Sequence, residues 1–170
     1  MRASIAVALE SQRPITLDGN ESPMAIVVQN RQRAHRIHTA QIKRYLQQVM
    51  IYLSCQEKEL SVVFGSDRLL QELNRTYRQK DYPTNVLAFP QEPVLGDGPT
   101  ACLLGDVVVS LPTAAREAEA LTQPLEARVL YLLIHGLLHL LGYDHEGSAV
   151  ARRRMETLEQ EILAYLQHRS

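Results

Sequence analysis

A chain of 170 residues, 45% hydrophobic and 22% charged, has the composition of one soluble globular domain and excludes disordered and fibrous classes. That length supports a single core burying about 70% of the unfolded surface, so folding requires neither a disulfide nor a permanent partner. A formal net charge of −1 excludes a uniformly basic coat of the kind that binds nucleic acid through bulk charge.

In chain order, residues 1–24 mix Pro14, Gly19 and Pro23 with weak apolar content and read as a loosely attached N-terminal extension. The apolar stretch Ile5 to Leu9 is too short for a signal-peptide core. Cys55 and Cys102 stand far apart, against a disulfide scaffold or a Cys-based zinc module, so a reducing cytoplasm is expected. Ile26 to Val28 predicts a strand, followed by a basic loop with Arg31, Arg33 and Arg36. Thr39 is expected to cap a helix whose Ile42, Tyr45, Leu46, Val49 and Leu53 share one face. Leu60 to Phe64 reads as a strand ending at Gly65, and Ser66-Asp67 opens a helix with Leu69, Leu70, Leu73 and Tyr77 inward.

A charged turn at Asp81-Tyr82-Pro83 leads into a short strand from Val86 to Phe89, closed by Pro90. Leu103 to Ser110 predicts a buried strand, and Ser110 with Pro112 suits a helix start. Pro124 opens a long helix from about Leu125 to Leu141, which Gly142 ends by taking a left-handed conformation. The run from Val129 to Tyr143 is too short to span a membrane and carries two histidines, so it predicts a buried core helix. A last helix from about Ser148 to Gln167 turns Ala151, Met155, Leu158, Ile162 and Leu166 to one side. The expected fold is α+β: one domain with about four strands in a mixed sheet and about five helices.

The chemistry is most legible in HGLLHLLGYDH, residues 135–145. Helix positions four apart project about 40° from one another, so His135 and His139 can share one metal ion. Gly142 lets the backbone reverse so that His145 returns as a third ligand. Three neutral imidazoles leave one tetrahedral position for water, the pattern of a catalytic zinc site, with Ni²⁺ or Cu²⁺ as less available alternatives. This spacing matches that of metzincin proteases, but Gly136 stands where those enzymes carry a glutamate general base. The difference disfavours peptidase chemistry and leaves water activation to the metal. Asp144 suits either a partner that orients an imidazole or a turn cap.

A second cluster, NRTYRQKD at residues 74–81, places Arg75, Arg78 and Lys80 at a helix end. Such cations form either a solvated face in favourable contact with the helix dipole or a phosphate-binding group that stabilises charge during phosphoryl transfer. Arg152, Arg153 and Arg154, among Glu156, Glu159 and Glu161, predict a salt-bridged solvent face.

Together, LNRTYRQKDYPTNVLAFP, LLGDVVVS and HGLLHLLGYDH resemble the YbeY family of bacterial endoribonucleases over about residues 26–168. The resemblance implies a single metal-dependent endoribonuclease domain over residues 25–170, with one Zn²⁺ on His135, His139 and His145. It also implies cleavage of single-stranded RNA, processing of rRNA including the 16S 3′ end, and a part in ribosome quality control in the cytoplasm. The arginine of the family's Y-R-x-K-D motif falls on Arg78, which marks it as the phosphate-contacting catalytic residue, acting with metal-bound water or the RNA 2′-OH. Arg75 and Lys80 are further RNA-contact candidates. Ala88 departs from the commoner pattern, where serine is frequent. The competing expectations are a ribosome-assembly factor with a structural metal and little cleavage of its own, and another metallohydrolase.

The net charge conceals an asymmetry. Residues 26–80 hold ten Lys and Arg against four Asp and Glu, whereas residues 81–170 hold six against twelve. A basic wall beside a metal cleft is compatible with that distribution, with the acidic half limiting non-specific RNA binding.

Overall fold

Alternation along two central strands sets the architecture of the computed structural model, which describes residues 25–91, 103–144 and 147–169. Strand β2 (Glu59–Gly65) turns Val62 and Phe64 to one face and Val63 to the other. Strand β4 (Leu103–Ser110) does the same with Val107 and Val109 against Val108. Both are therefore covered on two sides, which is why they read as apolar runs rather than polar-apolar repeats. They pair in parallel at the centre of a four-stranded sheet of order β1-β2-β4-β3. Strand β1 (Ile26–Asn30) adds in parallel beside β2, and β3 (Val86–Pro90) lies antiparallel on the far edge of β4. Pro90 thus sits on an edge strand, where a missing N–H is tolerated.

The larger core lies on one face, built by α1 (Thr39–Tyr52), α3 (Leu111–Ala120), α4 (Leu125–Leu140) and α5 (Ala149–Gln167). Helix α2 (Asp67–Arg78) covers the other face, with Leu70 against Val63, Leu87 and Val108. Among the described residues the fold is α+β, with four strands and five helices. None of these helices is long and apolar enough to cross a membrane. The extension 1–24, Cys102 and His145 lie outside the described residues.

Local chemistry explains the element ends. Ser66 caps α2 by accepting the Leu69 N–H, Ser110 caps α3 through the Thr113 N–H, and Ser148 caps α5 through the Ala151 N–H. The expected Thr39 cap is corrected: His38 occupies the N-cap of α1 without a side-chain hydrogen bond, and Thr39 is the first helical residue. Tyr77 is also not inward; it is 39% exposed and meets Phe89 edge-on at 5.4 Å. The glycine at 142 does end the long helix. At φ +88 its N–H donates to the His139 carbonyl while the Tyr143 N–H reaches Leu138 O, both at 3.0 Å, a Schellman closure.

Asp67 joins the two sides of the sheet. Its carboxylate accepts hydrogen bonds from the Ser110 hydroxyl, from Thr113 Oγ1 at 2.7 Å and from Arg116 at 2.8 Å. Burial alone would raise its pKa, but these donors and the Arg116 charge outweigh burial and hold the carboxyl below its usual value of 3.8. A lowered folded pKa contributes stability above the unfolded value, and that contribution disappears as pH falls through the folded value. Asp67→Asn is therefore expected to be less stable than wild type at pH 7. The difference should narrow as pH falls below 3.8, read by urea denaturation across pH; a gap constant with pH would refute the clamp.

Candidate active site

The helix that carries the histidines is buried almost all round, with one half-buried stripe at Tyr131, His135 and His139, each four residues from the next. Gly136 presses this helix onto the sheet. A Cβ built there would lie 2.7 Å from Val107 Cγ1 and 3.4 Å from Val86 Cγ2, so the backbone approaches at a distance that a side chain forbids. The approach brings both imidazoles to the β3 edge. A cleft of about 560 Å³ opens there, between α4, the β3 residues Val86 and Ala88, and the segment following α2.

Arg78, Lys80, Thr84 and Asn85, from the end of α2 and the segment after it, also line the cleft, as does Asp144 beyond α4. The segment after α2 is held by its own hydrogen bonds. Gln79 takes φ +57 and ends α2, after which the chain doubles back along the helix. The buried Asn74 donates to the Tyr82 carbonyl at 2.9 Å, and Gln71 donates to Asp81 at 3.0 Å. Asn85 donates to Glu117 of α3 at 2.9 Å, and Glu117 pairs with Arg128 of α4 at 2.8 Å. Three helices thus fix the loop that presents the cations.

The Nε2 atoms of His135 and His139 lie 3.1 Å apart. Two nitrogens bound to one tetrahedral Zn²⁺ lie about 3.3 Å apart at bond lengths of about 2.05 Å, so the pair is spaced as two ligands of one ion. Behind it, His135 Nδ1 lies 2.7 Å from Glu159 Oε1, and the Tyr131 hydroxyl donates to Glu159 Oε2 at 3.0 Å. A carboxylate only accepts, so Nδ1 is the donor in this contact and Nε2 is the nitrogen turned toward His139. Burial, and then the charge and hydrogen bond of Glu159, push the Tyr131 pKa up to about 12, so its hydroxyl stays a donor.

The sequence-predicted residues are thus partly assembled. His135 and His139 meet, and Arg78 and Lys80 line the same cleft. Arg75 is exposed on α2 and lines no part of it. His145 lies outside the described residues, among which no group of three His, Cys, Asp or Glu side chains is arranged as a metal shell. The expectation that Glu159 belongs to a solvent face is corrected: it is 3% exposed and holds His135. Its position betrays it, since it falls four residues after Met155 and three before Ile162, on the apolar stripe of α5. Tyr131, Thr84 and Asn85 were not singled out from the sequence, although Tyr131 stands one turn before His135 and Thr84 and Asn85 fall inside the segment LNRTYRQKDYPTNVLAFP.

A family described as Endoribonuclease YbeY matches residues 27–167. The chain belongs to this family. An Endoribonuclease YbeY from Geobacter metallireducens is 41% identical over 85% of this chain and 97% of its own length. One from Aquifex aeolicus is 38% identical over 79% of this chain and 87% of its own. A solution structure from Thermotoga maritima has a TM-score of 0.53 at 23% identity, covers 85% of this chain and 93% of that one, and shares the fold. Residues of two of the motifs quoted above line the cleft: Arg78 to Ala88 from the end of α2 through β3, and His135 to Asp144 from α4 and the segment after it.

Two outcomes follow from this packing. Gly136→Ala gains about 1 kcal/mol of helix propensity but overpacks Val107 by about 1–3 kcal/mol, so a net loss of about 1 kcal/mol is expected by denaturant unfolding. Glu159→Ala strips the acceptor from Tyr131 and His135, and a loss of about 2–4 kcal/mol is expected, against about 1 kcal/mol for Tyr131→Phe. Equal effects of the last two would rule out a shared carboxylate.

Proposed function

We propose that this chain is a zinc-dependent endoribonuclease that cuts single-stranded RNA, acting in the cytoplasm in rRNA processing, including 16S 3′-end maturation, and in ribosome quality control. The observation that carries the reading is the cleft itself: two imidazole nitrogens 3.1 Å apart share its lining with Arg78 and Lys80, in a chain of the YbeY family. Metal ligands in one cleft with fixed cations suit a phosphodiester. An unpaired backbone bends into such a cleft more readily than a stiff duplex.

His135, His139 and His145 would hold the ion, with Ni²⁺ or Cu²⁺ as alternatives to Zn²⁺. When bound, the metal supplies Lewis acidity that polarises a phosphate oxygen or lowers the pKa of water. The Arg78 guanidinium grips nonbridging phosphate oxygens bidentately and stabilises the charge that accumulates as the phosphorane forms. Lys80 adds a second cation to the same cleft. Glu159 keeps the proton on His135 Nδ1 and so turns Nε2 toward His139. At Gly136 there is no side chain to act as a base, and the contact with Val107 leaves no space for one. This favours phosphoryl transfer over the peptidase alternative.

A cleavage assay on unpaired RNA tests the proposal. Arg78→Ala is expected to lower kcat by about 10²–10³-fold, and His135→Ala to abolish cutting, with both variants folded by circular dichroism. Elemental analysis should find one zinc per chain. Folded variants that cut like wild type would overturn the site, and wild type that holds zinc yet cuts nothing would favour an assembly factor with a structural metal. Product ends identify the nucleophile: a 2′,3′-cyclic phosphate for the 2′-OH, a simple phosphomonoester for water.

A further inference from the structure

Between Ile26 and Gln56 the chain contains no Asp or Glu, yet five Lys and Arg: Arg31, Arg33, Arg36, Lys43 and Arg44. The three arginines are exposed on the loop joining β1 to α1, and among the described residues none has a carboxylate partner. The loop is nonetheless built. Gln32 is buried beneath it, donating to Asn30 Oδ1 at 3.0 Å and to the His35 carbonyl at 2.8 Å, while accepting the His35 N–H at 2.9 Å. The Arg31 N–H is tied to the Phe64 carbonyl at 2.8 Å. This frame borders a groove of about 590 Å³ lined by Gln32, Arg33, His35, Arg36 and His38. Cations gathered on a fixed frame without counter-charges repel one another, an arrangement that a polyanion relieves.

Sheet register locates the groove relative to the cleft. Asn30 on its rim pairs with Phe64, Phe64 pairs with Val109, and Val109 pairs with Val86 of the cleft. Groove and cleft therefore open at the same end of the sheet, three strand spacings or about 14 Å apart. At a stacked spacing of about 3.4 Å per nucleotide, that distance is about four nucleotides.

We infer that the β1–α1 groove is a second phosphate-backbone site, which holds the substrate RNA about four nucleotides from the bond being cut. Arg33 and Arg36 make the contacts, and Gln32 positions the loop that carries them. This rests on the RNA-cleaving reading above but concerns a different surface, so binding and cutting test them separately.

The experiment measures binding of oligouridylates of 4 and 20 nucleotides by fluorescence anisotropy across a salt series. It compares wild type, Arg33→Gln/Arg36→Gln, and a charge-matched control, Arg152→Gln/Arg153→Gln on α5. With two phosphate contacts removed, the groove variant is expected to bind the 20-mer about tenfold more weakly, with a log–log salt slope shallower by about 1.4. The 4-mer, too short to occupy both sites, should bind as in wild type, and the control should match wild type on both. KM for a long substrate should rise while kcat for a short one holds. The inference fails if the groove variant and control bind the 20-mer equally, which would assign the patch to an acidic protein, or if both lengths weaken together. Length-dependent binding through these arginines in a chain that cuts no RNA would sustain the groove and sink the nuclease.

Discussion

The helix bearing His135 and His139 rests on the sheet through a residue with no side chain, and the geometry of the cleft depends on that contact. With Gly136 against Val107 and Val86, α4 approaches the β3–β4 pair closely enough for its polar stripe to emerge at the sheet edge. A larger residue would lift the helix and separate the imidazoles from the wall that carries Arg78. The same contact accounts for the missing peptidase base: a carboxylate at 136 would point into strand β4. One close approach thus opens the cleft and restricts the chemistry available in it.

Behind the contact, a buried carboxylate governs proton placement. Glu159 reaches from α5 to the back of His135 and is itself held by Tyr131, so two helices cooperate to orient one ring. Isolated burial of a carboxylate is expensive, and here both oxygens have donors, which makes the burial tolerable. The arrangement also couples the last helix to the active site, although α5 contributes no residue to the cleft lining.

Charge is divided in a comparable way. The acidic half of the chain commits two carboxylates to internal partners: the half-buried Glu117 to Asn85 and Arg128, and the buried Glu159 to His135. Many cations of the basic half remain exposed at the β1–α1 loop and along the cleft wall. A net charge of −1 is thus compatible with a cationic surface, because part of the negative charge is turned inward.

Periodicity and capping chemistry made the strands and helices readable from the residues, because the apolar run of β4, the serine caps and the glycine at 142 act within one or two turns. His135 and His139 were readable for the same reason, since a four-residue helical spacing determines their common face. Tertiary structure alone decided what crosses between elements. Glu159 lies 24 positions from His135, Asn85 lies 32 from Glu117, and the register that aligns Asn30 with Val86 runs through two intervening strands. No local pattern encodes such pairings, because they depend on how separate faces pack. The sequence by itself determined which residues could bind a metal or a phosphate, and packing decided which of them face one another.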